Sequence, residues 1–470
     1  MILKEMLEGL AMIKKTVSEI RQMLGLKNEN TMYDEVAVKG VCIDSRQVEA
    51  GNLFIPLVGE RVNGHAYADM ALANGAAAML WNVNEPNPPK DAAVILVEDT
   101  AAALWRLAGA YRLLCHYKTV GITGSNGKTS TKDMVAGVLS ERYRVMKTQG
   151  NHNNEIGVPL TLLSFDEDID VAVVEMGMEN RHEIEALCEI VKPDIGIITN
   201  VGVAHLENLG SMANIAKAKC ELIEGLHNGS AFFYNGDDPY LGQEIPSHDL
   251  RQLRVQTFGE GEHNDCRLTS FSQHHEGITF TLSLTDQTFS CNILGRHQAM
   301  NGCAAYLAGH ELGMSDDEIQ RGFQRVETTS MRNELSSVGK WLVLNDAYKS
   351  NPQSALAALA TFDQIKGGNR IAVLGDMLDL GETSPMLHEQ LGRDCAKFKL
   401  DKVFCLGPLA EYIAKGAKAA GISDVRHFIE RDELLAALLA ETDHEATVLF
   451  KGSRGMKLDE IFDQIKEKVK

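Results

Sequence analysis

The sequence of 470 residues lacks several features that would place it in a specialised class of protein. No apolar run reaches the 18 or more residues of a membrane span, and no signal-peptide pattern is visible, so we expect no transmembrane segment. Positive charge is scarce, because 46 lysines and arginines stand against 65 aspartates and glutamates, a net charge of -19. This balance argues against non-specific nucleic-acid binding. The nine cysteines include no C-x-x-C pair, which favours reduced thiols and a cytoplasmic location.

The chain is too long for one hydrophobic core and predicts about three α/β domains. In residues 118–328 and 329–470, apolar strands alternate with helices, which predicts parallel sheets covered on both faces. Residues 1–117 combine short strands, turns and helices in a smaller α/β domain. The amphipathic stretch at residues 1–24 is expected to pack against this domain rather than on a membrane surface. Alternating residues from 251 to 291 predict an antiparallel appendage to the second domain.

A glycine-rich turn between a strand and a helix predicts a phosphate site at residues 121–130. Main-chain N–H groups and the helix dipole attract phosphate there, Lys128 neutralises its charge, and Thr129 offers a hydroxyl to Mg²⁺. The general pattern G-x-x-x-x-G-K-[ST] has a first glycine where this chain has Ile122, so the turn is a narrower variant. We interpret it as an ATP site. Its expected cofactor-binding residues are Gly124, Ser125, Asn126, Gly127, Lys128, Thr129 and Ser130.

Polar residues follow the next two strands, at the edge where ligands bind in such sheets. Glu175 ends one strand and is the expected Mg²⁺ ligand, since hard cations take oxygen ligands. Asn200 and His205 follow the other strand, and for His205 a ligand role and a structural role are equally supported. Lys219 lies on a predicted helix, where the residues alone favour a solvated face. Polar residues also lie at strand ends within residues 45–65. They are expected either to line the rim of a ligand site or to form solvated turns.

Motifs in all three domains resemble one family. Residues 44–46 read DSR and 63–65 read NGH; residues 123–132 read TGSNGKTSTK; residues 346–352 read DAYKSNP and 451–455 read KGSRG. With these motifs the chain resembles the Mur ligases, ATP-dependent amide-forming enzymes of peptidoglycan synthesis. The likeness is greatest to the branch of the family that joins D-alanyl-D-alanine to UDP-N-acetylmuramoyl-tripeptide. The resemblance implies a uridine-nucleotide domain, a central P-loop ATPase domain and a Rossmann-like C-terminal domain.

The same resemblance implies the cofactors, the partners and the roles of individual residues. ATP and Mg²⁺ would serve a monomer that binds the two substrates and forms an acyl phosphate. The implied catalytic residues are Lys128, Glu175, His205 and Lys219. The implied metal ligands are Thr129, Glu175, His205 and Lys219, the last as a carbamate. The residues implied for the nucleotide beyond the loop are His297, Asn301, Arg332, Asp346 and Tyr348. The residues implied for substrate are Ser45, Arg46, Asn63, His65, Asn153, Asn154 and Asn200.

Some residues depart from the family pattern, among them Lys349 and Ser350 in place of Asn-Ala and Asp379 in place of a glutamate. Two other functions remain as hypotheses. A related ligase would add a diamino acid or glutamate, but the Asp-Asn-Pro-Arg motif of diamino-acid members is absent from the sequence. A nucleotide-dependent binding or switch protein would form no peptide product.

Overall fold

A computed structural model describes residues 13–27 and 31–469 of the chain. The first half of the predicted amphipathic stretch, residues 1–12, lies outside the described residues. Its second half contains helix α1 (Val17–Met23), which turns Val17 and Ile20 into the protein core, as the packing prediction requires. Within the described part of the chain, no helix is long and apolar enough to cross a bilayer.

The N-terminal part is a small α/β unit. Its strands are β1 (Lys14–Thr16), β2 (Ala37–Lys39), β3 (Val41–Cys42), β4 (Leu53–Phe54), β5 (Ala78–Asn82) and β6 (Ala93–Val97). Its other helices are α2 (Ala68–Ala73) and α3 (Thr100–Leu114). Strands β3 to β6 form a parallel sheet in chain order, while β1 and β2 pair antiparallel. Asp99 caps helix α3, because the Ala102 amide donates to the Asp99 carboxylate at 2.9 Å.

Helix α3 joins this unit firmly to the central part of the chain. The Tyr111 hydroxyl donates to the main-chain oxygen of Phe165 at 2.8 Å. The buried Arg112 guanidinium donates to the main-chain oxygens of Val191 and Cys115 and to the Thr119 hydroxyl. Apolar residues of both parts form one continuous buried cluster. The N-terminal unit and the central sheet therefore share a core.

The central part is built on one nine-stranded sheet. Its strands are β7 (Lys118–Thr123), β8 (Val145–Lys147), β9 (Val171–Glu175), β10 (Ile195–Ile198), β11 (Ala231–Asn235), β12 (Arg254–Gly259), β13 (Cys266–His274), β14 (Gly277–Leu282) and β15 (Thr288–Cys291). Its helices are α4 (Lys128–Leu139), α5 (Gly157–Ser164), α6 (Glu183–Val191), α7 (Leu206–Leu209), α8 (Met212–Glu224), α9 (Pro239–Glu244), α10 (Arg296–Glu311) and α11 (Asp316–Phe323).

The sheet order is β15-β14-β13-β12-β11-β10-β7-β9-β8. All pairs from β8 to β13 are parallel, and only β13 to β15 pair antiparallel. The predicted antiparallel appendage therefore extends the same sheet, and the central sheet is mixed rather than wholly parallel. Strand β7 lies between β9 and β10, with Ile122 opposite Glu175 and Thr123 opposite Ile198. This register places the ends of β9 and β10 on either side of the loop that follows β7.

The C-terminal part forms a six-stranded sheet in the order β16-β17-β21-β18-β19-β20. Its strands are β16 (Glu334–Val338), β17 (Trp341–Asp346), β18 (Asn369–Gly375), β19 (Lys402–Leu406), β20 (Asp424–Phe428) and β21 (Ala446–Lys451). Its helices are α12 (Pro352–Asp363), α13 (Ser384–Asp394), α14 (Ala410–Ala419), α15 (Arg431–Leu439) and α16 (Leu458–Lys468). Only β16 and β17 pair antiparallel, so the predicted mostly parallel sheet is confirmed. The exact domain boundaries at 117/118 and 328/329 stay predictions.

Candidate active site

A cavity of about 880 Å³ lies between the central sheet and the C-terminal sheet. The ends of β7, β9 and β10 supply one wall, and the ends of β17 and β21 supply another. Both sets are carboxyl ends of strands, the edge where ligands bind in open α/β sheets. The cavity brings together the predicted residues of these two parts: Ser125, Asn126, Gly127, Lys128, Thr129, Ser130, Asn153, Asn154, Glu175, Asn200, His205, His297, Asn301, Arg332, Asp346 and Tyr348.

The loop after β7 has the form of a phosphate cradle. Gly127 has a φ of 79° and directly precedes helix α4, so the first N–H groups of that helix face the cavity. At Gly124, with a φ of 150°, a Cβ atom would lie 1.9 Å from the Thr199 hydroxyl oxygen. The Lys128 ammonium donates to the main-chain oxygen of Gly124 at 2.6 Å and so lies over the loop. Glycine is therefore required at both positions.

Strand β10 braces this loop from one side. The Asn126 amide donates to the Asn200 side-chain oxygen at 3.0 Å, and the Asn200 amide group donates back to the Asn126 main-chain oxygen at 3.1 Å. The Thr199 hydroxyl donates to the same oxygen at 2.6 Å. Asn200, predicted to bind substrate, thus has a positioning contact with the phosphate loop as well as a place in the cavity wall.

Strand β9 presents a carboxylate from the other side. Glu175 is 2% exposed, and its Oε1 accepts from the Asn153 amide group at 2.7 Å. Its Oε2 is buried and has no hydrogen-bond partner among the described residues. The Asn154 side-chain oxygen accepts from the Gly157 amide at 2.9 Å, at the start of helix α5, so of the two predicted asparagines only Asn153 contacts Glu175. An unpaired buried carboxylate oxygen is costly unless a cation or donor joins it.

Several basic side chains lie in or beside the cavity, whose lining also includes acidic residues such as Glu175 and Asp346. Burial lowers the pKa of Lys128 to about 8, with Lys349 and Arg332 acting in the same direction. Burial also lowers the pKa of His205 to about 3, and neighbouring lysines add to this effect, so its imidazole is neutral at pH 7. Lys219 is 1% exposed, and burial followed by the charge of Lys128 lowers its pKa well below the usual range. The solvated face that the residues alone favoured is wrong for Lys219, because α8 turns this residue inward.

Helix α10 closes the cavity on another side. His297 lies at its start, and burial lowers the pKa of this imidazole to about 4. The Asn333 amide group lies 2.7 Å from His297 Nε2 and donates to it, which leaves the proton of the neutral ring on Nδ1. Asn301 lies on the same helix. Its side-chain oxygen is 3.0 Å from the position that a Cβ atom on Gly127 would occupy. The predicted pair His297 and Asn301 thus adjoins the phosphate loop.

The C-terminal sheet contributes a stacked and charged group. The guanidinium of Arg332 lies 4.3 Å from the centre of the Tyr348 ring, and that of Arg454 lies 5.4 Å from it. Asp346 forms an ion pair with Lys451 at 2.8 Å, and Lys451 also donates to the main-chain oxygen of Lys349 at 2.6 Å. These contacts fix β17, β21 and the loop after β17 around one wall of the cavity.

Direct hydrogen bonds cross the cavity between the two parts. The Asn351 amide group donates to the Asn126 side-chain oxygen at 2.6 Å, and the Asn126 amide group donates to Gln353 at 3.1 Å. Asn351 also caps helix α12 through the Ser354 amide. The tip of the phosphate loop therefore touches the start of a C-terminal helix.

Comparison with known proteins identifies the family. The families described as "Mur ligase family, catalytic domain", "Mur ligase middle domain" and "Mur ligase, glutamate ligase domain" match residues 37–112, 122–309 and 331–454. A UDP-N-acetylmuramoyl-tripeptide--D-alanyl-D-alanine ligase of Bacillus subtilis (strain 168) is 42% identical over 459 residues, which cover 97% of this chain and 99% of that relative. The chain belongs to the Mur ligase family. The family prediction and its α/β architecture are confirmed.

Solved structures of Mur ligases superimpose over most of the chain. A crystal structure of MurF from Acinetobacter baumannii is 27% identical with a TM-score of 0.86, and the match covers 97% of this chain and 99% of that one. The MurF ligase from Thermotoga maritima, solved in complex with ADP, is 27% identical with a TM-score of 0.79, over 92% and 97% of the two chains. The predicted assignment to the ATP-dependent ligases is confirmed with the family.

Four predicted substrate residues of this Mur ligase lie outside the cavity, on the N-terminal unit. Ser45 and Arg46 form a 3-10 turn in which the Arg46 guanidinium pairs with Asp44 at 2.6 Å, which lowers the pKa of that carboxyl to about 2. His65 Nδ1 donates to the Asn63 side-chain oxygen at 2.8 Å, while its Nε2 accepts from the Asn82 amide. The polar groups of Asn63 and His65 thus form hydrogen bonds with each other and within the N-terminal unit. A substrate contact by any of the four residues stays a prediction.

Several cavity residues of this Mur ligase were not predicted as site residues. Lys349 was noted only as a departure from the family, yet it faces the same cavity as Lys128 and His205. Lys451 belonged to a recognised motif without an assigned contact. Asn333 carried no sequence signal, since its role depends on reaching His297, 36 residues earlier in the chain. A polar residue beside a linker is too common a feature to reveal such a contact.

Proposed function

We propose that this Mur ligase joins D-alanyl-D-alanine to UDP-N-acetylmuramoyl-tripeptide and converts ATP to ADP and phosphate in the same reaction. The observation that supports this most is the similarity over nearly the whole chain to the Bacillus subtilis ligase with that name. The cavity agrees with such a reaction, since a phosphate loop faces a cationic wall from a second domain. We also propose a monomer acting in the cytoplasm, where ATP is abundant.

The proposed chemistry has two steps. A carboxylate oxygen of the tripeptide attacks the γ-phosphorus of ATP, and the bond between that phosphorus and the β,γ-bridging oxygen breaks. ADP departs, and the tripeptide now carries an acyl phosphate. The amine of D-alanyl-D-alanine then attacks the acyl carbon, the tetrahedral intermediate expels phosphate, and the amine proton passes to the released phosphate. Lys128 and the main-chain N–H groups of the loop would hold the phosphoryl oxygens. Their fixed positive charge stabilises the negative charge that develops during transfer.

The donor set of the cavity fits Mg²⁺ on two points. The unpaired Glu175 Oε2 is a buried hard oxygen, and Thr129, at the start of α4, lines the same cavity. Among the described residues no cluster of three or more acidic, histidine or cysteine side chains forms a complete cage, so phosphates and water would supply the remaining ligands. When bound, Mg²⁺ would neutralise charge on the phosphates. Glu175 and Thr129 would hold it, and neutral His205 would offer a nitrogen to a second ion.

Lys219 is proposed to act as a carbamate. Carbamate formation requires a neutral amine and nearby positive charge, and both conditions are met by its lowered pKa and by the lysines facing it. The predicted binding of the uridine nucleotide by the N-terminal unit also stays part of the proposal.

The test is product formation from defined substrates. The purified chain should form a peptide product from UDP-N-acetylmuramoyl-tripeptide, isotope-labelled D-alanyl-D-alanine and ATP, detected by mass spectrometry. Phosphate release should require both the tripeptide and D-alanyl-D-alanine, because the acyl phosphate forms on the tripeptide and loses phosphate when the dipeptide amine attacks it. Equal release without the dipeptide, or a product only with a free amino acid, would refute the assignment. Comparison of kcat/KM for tripeptides ending in diaminopimelate or lysine would define the preferred third residue.

A further inference from the structure

The linker between the central and C-terminal sheets, residues 324–333, is held by buried groups that the proposed chemistry does not use. Asp133 lies on helix α4, directly behind the phosphate loop, and is 1% exposed. Its Oδ2 accepts from the Thr329 amide at 2.8 Å and from the Thr329 hydroxyl at 2.9 Å. A buried carboxylate with two donors from one residue fixes that residue strongly.

Two lysines complete this anchor. Lys147 donates to Asp133 Oδ1 at 2.6 Å and to the main-chain oxygen of Glu327 at 3.2 Å. The fully buried Lys132 lies 3.3 Å from the same Oδ1 and donates to the main-chain oxygen of Thr148 at 2.9 Å. The linker is thus tied at two points to the helix that begins at the phosphate loop.

The far end of the linker is tied to the nucleotide side of the cavity. Asn333 donates from its side chain to His297 Nε2 at 2.7 Å and from its main chain to Asp346 at 3.3 Å. Met331 and Asn333 both have left-handed backbone, with φ of 60° and 49°. Residues other than glycine keep such conformations only where their surroundings impose them.

Between these ties lies Arg332, which faces the cavity and stacks on Tyr348. Its Nε atom is buried and lacks a hydrogen-bond partner within the described residues. A permanent cation that lines a cavity beside a phosphate loop, and that has an unpaired donor, is suited to an anionic ligand. Position 332 is therefore determined by contacts on both of its sides.

We propose that Asp133, through Thr329, is a positioning residue that holds the linker so that Arg332 reaches the nucleotide phosphates. The anchor and the phosphate loop share helix α4, so a shift of the loop is passed to the linker, and the linker position is passed to Arg332. The inference rests on the proposed function only in taking ATP as the ligand. It assigns a role to a buried acid that touches neither substrate nor nucleotide.

The test is a double-mutant cycle on nucleotide affinity. Thr329→Val removes the hydroxyl that donates to Asp133 and keeps the side-chain shape. Binding of a non-hydrolysable ATP analogue, measured by calorimetry with Mg²⁺, should weaken about tenfold, because the linker keeps only one of the two Thr329 bonds to Asp133 and holds Arg332 less firmly. In the Arg332→Ala background the same change should weaken binding less than about twofold, since coupled residues are not additive. Thr329→Ser should restore nearly full affinity.

The control is Thr442→Val, because this half-buried C-terminal residue also donates its hydroxyl at 2.7 Å, to the Leu439 oxygen. It should leave affinity unchanged. The affinity of Asp133→Asn for the ATP analogue gives a second measurement. Its matched control is Asp394→Asn, because Asp394 is a buried acid of the C-terminal part that also pairs with a lysine. Equal effects of Thr329→Val in both backgrounds, or none in the wild type, would overturn the inference. Coupled affinities in a protein that forms no peptide product would support it and refute the proposed function instead.

Discussion

Replacement of Glu175 by glutamine should make the ligand-free protein more stable and the ligase inactive. Glutamine has the same shape and keeps an oxygen for the Asn153 amide group, which now donates to Glu175 Oε1 at 2.7 Å. The change removes the negative charge at Oε2, which is buried and has no partner among the described residues. The two effects have opposite signs, and this makes the prediction specific.

The expected size follows from the cost of an unpaired buried group. Leaving a buried polar atom unsatisfied costs about 1–3 kcal/mol, and more when the atom is charged. The new amide nitrogen of Glu175→Gln is also unpaired but carries no net charge. The change also removes the attraction of Glu175 for Lys128 and Lys132, which offsets part of the gain. We therefore expect a net gain of about 1 kcal/mol, or about 2–4 °C for a domain of this size. Loss of an anionic metal ligand removes several kcal/mol of charge stabilisation in the transition state, which lowers kcat at least about 100-fold.

Calorimetry without nucleotide measures the first effect and peptide formation measures the second. Addition of Mg²⁺ with the ATP analogue should raise the melting temperature of the wild type by more than that of Glu175→Gln, since a ligand stabilises the state that binds it. Glu467→Gln, at an exposed glutamate of the last helix, should change neither stability nor turnover. A variant that is less stable than the wild type, or that retains full kcat, would refute the role given to Oε2.

Three further predictions address other parts of the molecule. Lys128→Ala should abolish product formation while leaving the circular dichroism spectrum unchanged, and surviving turnover would contradict the phosphate assignment. The folded pKa of His297 is depressed to about 4, so its contribution to stability is present above the ordinary histidine pKa and is lost as pH falls from about 6.5 toward 4. Urea titrations should therefore show that His297→Gln removes about 2 kcal/mol of the stability difference between about pH 7 and pH 5, and an unchanged difference would contradict this assignment. Arg112→Met should lower the free energy of unfolding by about 3 kcal/mol, because it leaves buried main-chain oxygens without donors, and a change below about 1 kcal/mol would show that water replaces the arginine.

The sequence allowed the phosphate loop to be predicted because all its determinants are local. A strand, a turn with Gly124 and Gly127, and a helix beginning at Lys128 lie within one short segment, and backbone geometry alone forms the cradle. The position of Glu175 also followed, since parallel strands place their carboxyl ends at one edge. The strand register confirms this edge, with Glu175 opposite Ile122.

Contacts between distant segments did not follow from the sequence. Asn126 meets Asn351, 225 positions later, through a docking of two sheets that no local pattern encodes. Lys219 lies on a helix whose pattern is compatible with solvent, and only the packing of this face of α8 into the protein buries it. The antiparallel strands after residue 265 had recognisable alternation, but their fusion to the parallel sheet depends on a short pairing of β12 with β13.

The charge distribution connects the fold to the reaction. The chain carries a net charge of -19, yet Lys128, Lys219, Lys349 and Arg332 face or adjoin one cavity. Burial and mutual repulsion lower the pKa of Lys128 and Lys219, so the free protein holds these groups in an unfavourable arrangement. A triphosphate with its carboxylate acceptor is the kind of ligand that relieves this repulsion. Lys349 and Arg332 come from the C-terminal part, and Lys128 comes from the phosphate loop, so a ligand relieves this repulsion only where it contacts both parts at once.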